Sequence, residues 1–450
     1  MKLEANSLAI LARGLEKLEQ GFAHLPEHEV EYDQARAEEV LLEVAERMWD
    51  NYPYHHPQYA GQMLKPPHPV ARMAYALSTW INPNNHALDG GKASSAMEKE
   101  AVAELARMFG WSDYLGHLSS AGTTANLEAL WVANQVRPGK TIVASEQAHY
   151  THHRICGVLQ IPFQSVAVDE QARMDVDALE QVLQSQDVGT VVVTLGTTGV
   201  GALDPLPEVL ALQKTYGFRI HVDSAYGGYY RLASTLSEDA SAAFEIIDQA
   251  DSIVVDPHKH GLQPYGCGCV LFKDASVGRF YKHDSPYTYF SSKELHLGEI
   301  SLECSRAGAS AVALWATQRM FPLVRGGEFA RSLEQCRAAA LGLYQLLRQD
   351  GRFVTPLEPA LDIVIWAPKA ATTSEMSALS RRSFELSAQA ELHLATFSYP
   401  SALIQRAYPQ VVVDTEVTTC LRSCLMKPEH QQWLDRIWSI LLQVQDQLDT

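Results

Sequence analysis

Between residues 95 and 272 the chain alternates short apolar runs with longer amphipathic stretches, and few folds accept that pattern. The runs are Thr141-Ile142-Val143-Ala144, Val191-Val192-Val193-Thr194-Leu195, Arg219-Ile220-His221-Val222, Ser252-Ile253-Val254-Val255 and Val270-Leu271-Phe272. Helical spacing of apolar residues marks Ser95 to Phe109, Thr123 to Val136, Val176 to Gln184 and Leu206 to Tyr216. Runs that are apolar on both faces must be covered on both faces. The pattern therefore predicts an α/β fold with a mostly parallel central sheet flanked by helices. In such sheets ligands gather at the carboxyl ends of the strands.

The flanks read differently. Residues 1 to about 50 predict two helices, with Ala37-Glu38-Glu39-Val40-Leu41-Leu42-Glu43-Val44 at helical spacing. Residues 51–69 carry Pro53, Pro57, Pro66, Pro67 and Pro69 among Tyr52, Tyr54, His55, His56 and Tyr59, which excludes a regular element. This loop reads equally as a packed linker or as the aromatic wall of a pocket. A long helix is expected from Ala309 through Trp315. From about 326 a small α+β unit follows: a helix from Phe329 to Arg348, a strand over Leu361–Trp366, a helix near 374–390, a strand near Cys420-Leu421-Arg422 and a closing helix from Glu429 to Leu448. The expected division is an N-terminal helical arm with the Pro-rich loop (1–80), a large domain (81–325) and a small C-terminal α+β domain (326–450).

Composition narrows the partners. A net charge of −17 argues against nucleic acid or an anionic membrane surface. No run approaches the roughly 18 apolar residues of a membrane span. Met1-Lys2-Leu3-Glu4-Ala5-Asn6 lacks the basic start of an export signal, so a cytoplasmic location is expected. Seven irregularly spaced cysteines read as reduced thiols, not a disulfide framework. Cys267 and Cys269 lack a second spaced pair, and no metal site is expected.

Three segments at the ends of probable strands carry chemistry. Lys259 leaves the 252–255 run inside Asp256-Pro257-His258-Lys259-His260-Gly261. A lysine there is ordinarily a solvated charge. When desolvated, or placed beside another cation, its amine condenses with an aldehyde. Asp223 ends Ile220-His221-Val222 and precedes the small residues Ala225, Gly227 and Gly228. It reads as a helix cap or as the partner of a protonated ring nitrogen. Ser120-Ala121-Gly122-Thr123-Thr124 opens a helix and reads as an ordinary capped start or as a phosphate cradle built from free N–H groups. An amine, a carboxylate and a phosphate cradle are together what pyridoxal phosphate requires. His149 follows a strand, where a flat imidazole stacks on a ring or serves structure. His149, His152 and His153 also share a helical face suited to a metal, although no carboxylate motif accompanies them.

Taken together these segments resemble the group II pyridoxal-phosphate-dependent amino-acid decarboxylases, enzymes of fold type I. The resemblance runs from about Asn82 to Trp315 and returns at Leu421–Pro428. Its most specific strings are Asp256-Pro257-His258-Lys259 and His221-Val222-Asp223-Ser224-Ala225-Tyr226, supported by Asn82-Pro83-Asn84-Asn85, Ser145-Glu146-Gln147-Ala148-His149 and Thr194-Leu195-Gly196-Thr197-Thr198. It implies that Lys259 is the Schiff-base lysine and that His258, Gly122 and Thr123 meet the cofactor phosphate. Asp223 is implied as the ring-nitrogen partner, with Ala225 beneath the ring, His149 over it and Thr198 near its polar edge. A tyrosine from a loop after the lysine is implied as proton donor, Tyr287 or Tyr289, with His149 as a further route for the proton. Tyr59 and Arg306 are candidates for substrate contacts. The resemblance further implies a homodimer with sites at the subunit interface. Aromatic-amino-acid decarboxylases commonly carry tryptophan after the lysine, whereas this chain has His260.

The expected activity is decarboxylation of an L-amino acid, with a lean toward aromatic side chains. The same scaffold also supports carbon–carbon lyase or decarboxylation-coupled oxidative deamination outcomes. A non-catalytic binding protein would be expected to lose Lys259 or Asp223, and both are present.

Overall fold

The computed structural model describes residues 5–282 and 296–449. Seven strands build the central sheet: β1 (Leu115–Ser119), β2 (Thr141–Ser145), β3 (Phe163–Val166), β4 (Val188–Thr194), β5 (Arg219–Asp223), β6 (Ser252–Val255) and β7 (Gly268–Phe272). Their order is β1-β7-β6-β5-β4-β2-β3. All neighbours pair in parallel except β7, which runs antiparallel to both β1 and β6. The mostly parallel α/β sheet expected from the apolar runs is thus present.

Strand geometry explains why the runs are apolar throughout. Successive side chains point to opposite faces. In β4, Val191 and Val193 join the core beneath Leu105, Phe109 and Phe244, while Val192 faces the other way toward Leu130 and Ile142. Each buried aliphatic side chain contributes about 1.5–3 kcal/mol. The helix Leu206–Tyr216 falls where its spacing predicts and ends on Gly217 in the left-handed conformation.

A second sheet contains β8 (Phe353–Val354), β9 (Ile363–Pro368), β10 (Ala395–Pro400) and β11 (Val417–Cys424), ordered β10-β11-β9-β8 and antiparallel. The helix Glu328–Asp350 packs against the closing helix His430–Leu448 beside this sheet. It also sends Phe329, Ala330 and Leu333 into the core of the first sheet.

At the other end lie helices Ala5–Phe22 and Gln34–Arg47. Asp33 caps the second by accepting from the Arg36 N–H, yet no residue of that helix is buried and Leu41 is 69% exposed. The Pro-rich segment is irregular up to His68, and Pro69 opens the helix Pro69–Thr79. A proline at the first helical position forfeits no hydrogen bond, which places the boundary one residue earlier than the loop reading gives. Among the described residues, no helix is long and apolar enough to cross a membrane.

Candidate active site

Asp223 is the last residue of β5 and is 4% exposed. A buried carboxylate without donors would be costly, and this one has three. Its Oδ2 accepts from His152 Nε2 at 2.9 Å and from Asn126 Nδ2 at 3.1 Å, and its Oδ1 accepts from the Ala225 N–H at 3.1 Å. Burial alone would push the carboxyl up. The hydrogen bond and charge of His152, the charge of Lys259 and the Ala225 N–H outweigh burial and hold it well below the usual carboxylate range. A carboxylate offers about four lone-pair positions. Three are filled, and one on Oδ1 remains.

Behind Asp223 the donors form a directed chain. His221 Nδ1 lies 2.9 Å from Ser252 Oγ, and His221 Nε2 lies 2.8 Å from Asn126 Oδ1. Burial, with the nearby His152 adding to it, pushes His221 down to about 3, so its imidazole is neutral. The tautomer then follows from the partners: Ser252 donates to Nδ1, Nε2–H donates to Asn126, and Asn126 donates to Asp223. This fixes which way the Asn126 amide faces.

Lys259 sits in the turn after β6, its side chain 19% exposed and its Nζ 3.1 Å from Asp256 Oδ2. His258 Nε2 lies 3.5 Å from the same oxygen, and its Nδ1 lies 2.7 Å from the Cys267 carbonyl. Burial pushes His258 down, against the pull of Asp256. The turn is tight. A Cβ on Gly261 would stand 2.6 Å from Pro257 Cα. β5 and β6 are parallel neighbours with Asp223 opposite Val254, so the Lys259 turn leaves the sheet at the same edge as the β5 carboxylate.

The third element is the N-terminus of the helix Gly122–Val136, which follows β1. Ala121 occupies the capping position and offers no side-chain hydrogen bond, so the first N–H groups stay available to an outside acceptor. A Cβ on Gly122 would lie 2.6 Å from Asp256 Oδ2, so only glycine admits this close approach of the helix start to the lysine loop. Thr123 is exposed beside it.

His149 is half-buried, and its Nδ1 lies 2.7 Å from Thr151 Oγ1. Burial pushes it down; Asp223 opposes this and Lys259 reinforces it. Ala225 is buried, and Thr198 is half-buried in the turn after β4, which Thr197 closes by accepting from the Ala202 N–H. The three histidines read as a possible metal face go separate ways. His152 turns to Asp223, His149 to Thr151, and His153 packs near Phe163.

Arg306 is committed differently from a free substrate clamp. Its Nη1 pairs with Glu98 Oε1 at 2.8 Å and donates to the Leu118 carbonyl, while Nε and Nη2 find no partner among the described residues. Tyr59 is 4% exposed, its hydroxyl accepts from the Gln62 N–H, and its ring stands edge-on to Tyr54 at 4.9 Å. Tyr287 and Tyr289 lie outside the described residues.

Asn126 and His152 escape sequence reasoning as members of this site. Each is one polar residue on an otherwise apolar helix face. That lone polarity was the available signal, since a buried polar group needs a partner. Asp362, in the bend before β9, escapes sequence reasoning too; its carboxylate lies 3.2 Å from His260 Nε2 and accepts from Tyr226 Oη at 2.6 Å.

Pyridoxal phosphate fits these residues. One lone pair of an ionised carboxylate is open to a ring N–H, an amine leaves the same edge of the sheet, and a helix start without a side-chain cap adjoins the lysine loop.

The comparisons agree with this fit. The model of the pyridoxal-dependent decarboxylase conserved domain matches residues 53–369. An L-tyrosine decarboxylase of Enterococcus faecium is 28% identical over 450 residues, covering 76% of this chain and 74% of that protein. An L-2,4-diaminobutyrate decarboxylase of Acinetobacter baumannii is 30% identical over 301 residues, covering 58% of each. The solved structure of Oryza sativa TDC with PLP and tryptamine superposes with a TM-score of 0.79 at 17% identity, covering 100% of this chain and 99% of that one, and so shares the fold. This chain belongs to the pyridoxal-dependent decarboxylase family and is a pyridoxal-phosphate-dependent amino-acid carboxy-lyase.

Proposed function

We propose that the chain decarboxylates an aromatic L-amino acid to its amine, with tyrosine the first candidate. The carrying observation is the open lone pair on Asp223 at the sheet edge where Lys259 leaves β6. The aromatic lean rests on the relative named for L-tyrosine and on the Tyr52, Tyr54 and Tyr59 cluster. The Glu98 ion pair, which occupies part of the Arg306 guanidinium, weighs against an acidic substrate.

Bound pyridoxal phosphate supplies an electron sink for the pair released when carbon dioxide leaves. The chain's residues do the rest. Lys259 Nζ would hold the cofactor through its aldehyde, and Asp223 Oδ1 would accept from a protonated ring nitrogen. The N–H groups of Gly122 and Thr123, with His258, hold the phosphate. Ala225, His149 and Thr198 would border the bound ring. Tyr287, Tyr289 or His149 would return the proton to the substrate carbon. Tyr59 and Arg306 border the substrate.

The same reading takes the protein to be a cytoplasmic homodimer with its sites at the interface, divided at about residues 80 and 325. Support for the dimer comes from the apolar face of Gln34–Arg47, where Leu41, Leu42 and Val44 are exposed.

The test is to offer the loaded enzyme each standard amino acid and follow carbon dioxide and amine by mass spectrometry. Tyramine from tyrosine in step with carbon dioxide is expected. An aldehyde in place of the amine, or no turnover of any aromatic substrate, would overturn the proposal.

A further inference from the structure

The family resemblance assigns Asp223 but leaves unexplained the imidazole that holds it. His152 is fully buried in the first turn of the helix Thr151–Leu159. Its Nε2 lies 2.9 Å from Asp223 Oδ2. Its Nδ1 has no partner among the described residues, so the carboxylate is the ring's one polar contact. The nearest ring is His221, edge-on with centroids 6.3 Å apart. A buried polar side chain with a single polar contact is retained for that contact or for its packing.

The lone-pair count separates those roles. Asn126 and His152 together occupy Oδ2, and the Ala225 N–H occupies one position on Oδ1. With three positions filled across both oxygens, the carboxylate cannot rotate about its Cβ–Cγ bond without breaking these hydrogen bonds. The remaining position on Oδ1 is then fixed in direction. Because the Asp223 carboxylate is ionised and only accepts, the hydrogen of this contact resides on His152 Nε2.

We infer that His152 is a positioning residue that locks the Asp223 carboxylate so that its one open lone pair faces the cofactor's ring nitrogen. This rests on the functional reading above. The two are separable because His152 acts only through Asp223 and touches neither phosphate nor amine. Hydrogen bonds to charged groups are the strong class, and losing one corresponds to roughly a ten- to hundredfold change in an equilibrium constant.

The experiment measures binding, not turnover. Cofactor is removed from the purified wild type and from His152→Phe, His152→Leu and His152→Gln. Each protein is then titrated by fluorescence with pyridoxal phosphate and with its 1-deaza analogue, which carries a C–H in place of the ring nitrogen. Phe and Leu fill the space without a donor; Gln retains one. His152→Phe and His152→Leu should bind pyridoxal phosphate about ten- to a hundredfold more weakly, the analogue should lose far less, and His152→Gln should recover most of the affinity. Equal losses for both ligands, or no loss for either, would reduce His152 to packing and overturn the inference. If the phenylalanine and leucine variants do not fold, the glutamine variant decides: wild-type preference for pyridoxal phosphate over the analogue supports the inference, and loss of that preference refutes it. A wild type that takes up no borohydride-fixable pyridoxal phosphate on Lys259 would defeat the functional reading and the positioning role with it.

Discussion

Two of the buried histidine–aspartate pairs, His152–Asp223 and His260–Asp362, are finished differently. In the first, Asp223 accepts from His152, Asn126 and the Ala225 N–H and keeps one lone pair in reserve. In the second, Asp362 accepts from Tyr226 Oη at 2.6 Å, while His260 Nε2 stands 3.2 Å from Oδ2 at ion-pair distance without hydrogen-bond alignment. Tyr226 and Tyr230 pack edge-on against the His260 ring, with centroids 4.7 and 5.2 Å away. That second pair is enclosed: both residues are fully buried, and Burial pushes His260 down and, opposing His260's charge, tends to raise Asp362, which still ends below the usual carboxylate range. The first pair keeps its open lone pair at the sheet edge that carries Lys259; the second is shut in by packing, not by hydrogen bonds, where the lysine loop meets the start of β9. The first suits a ligand site, and the second a joint between parts of the fold.

The contrast predicts effects of different size and kind. Lys259→Ala should abolish covalent cofactor attachment and lower kcat by at least about ten thousandfold, as loss of a covalent group does elsewhere; steady-state turnover with the visible absorbance of the loaded protein checks both. Asp223→Asn keeps shape but loses charge. It should cost about a hundred- to a thousandfold in kcat, the range for a removed electrostatic stabiliser, while the fold survives. The enclosed pair should answer in stability. His260→Leu leaves Asp362 buried with Tyr226 alone, and denaturant unfolding should read a loss of about 3–5 kcal/mol, with pyridoxal phosphate affinity almost unchanged. If His260→Leu instead weakened the cofactor as strongly as His152→Phe, the distinction between open and closed pairs would fail.

A further effect concerns the lysines near the enclosed pair. Lys427 is 3% exposed, and its Nζ donates to the Tyr59 carbonyl at 2.6 Å. Burial, with the charge of Lys65 adding to it, pushes Lys427 down to about 7 from an ordinary 10.5. Below about 7 both folded and unfolded chains hold the proton. Between about 7 and 10.5 the unfolded chain holds more, so this residue makes stability rise with pH through that window. The difference in unfolding free energy between wild type and Lys427→Met, followed from pH 6 to 10, should change with pH in that direction; a flat difference would contradict it.

How far the fold was legible from sequence varies by element for physical reasons. Runs such as Val191–Leu195 declare themselves because both faces of β4 are covered. The strand β1 hides, since Leu115-Gly116-His117-Leu118-Ser119 mixes a glycine and a histidine into a short run. His117 is tolerated there because its Nε2 meets Glu128 at 2.9 Å in a fully buried pair. β3 is partly exposed and lacks the apolar signature, and β10 alternates buried and exposed residues along the edge of its sheet. The reversed direction of β7 leaves no trace in an apolar run. In the site, Lys259 and Asp223 were legible because each breaks an apolar run at a strand end. Asn126, His152 and Asp362 were not, because a polar residue's partner across the fold is set by topology and not by spacing.

The central claim is that Lys259 carries the cofactor in the pocket where Asp223 holds an open lone pair. Reduction of the loaded protein with borohydride, followed by digestion and peptide mass spectrometry, tests it most directly. The account predicts one pyridoxyl group on the peptide containing Lys259, and none there in Lys259→Ala. A label on another lysine, or no label on a protein that nevertheless releases amine and carbon dioxide, would contradict it.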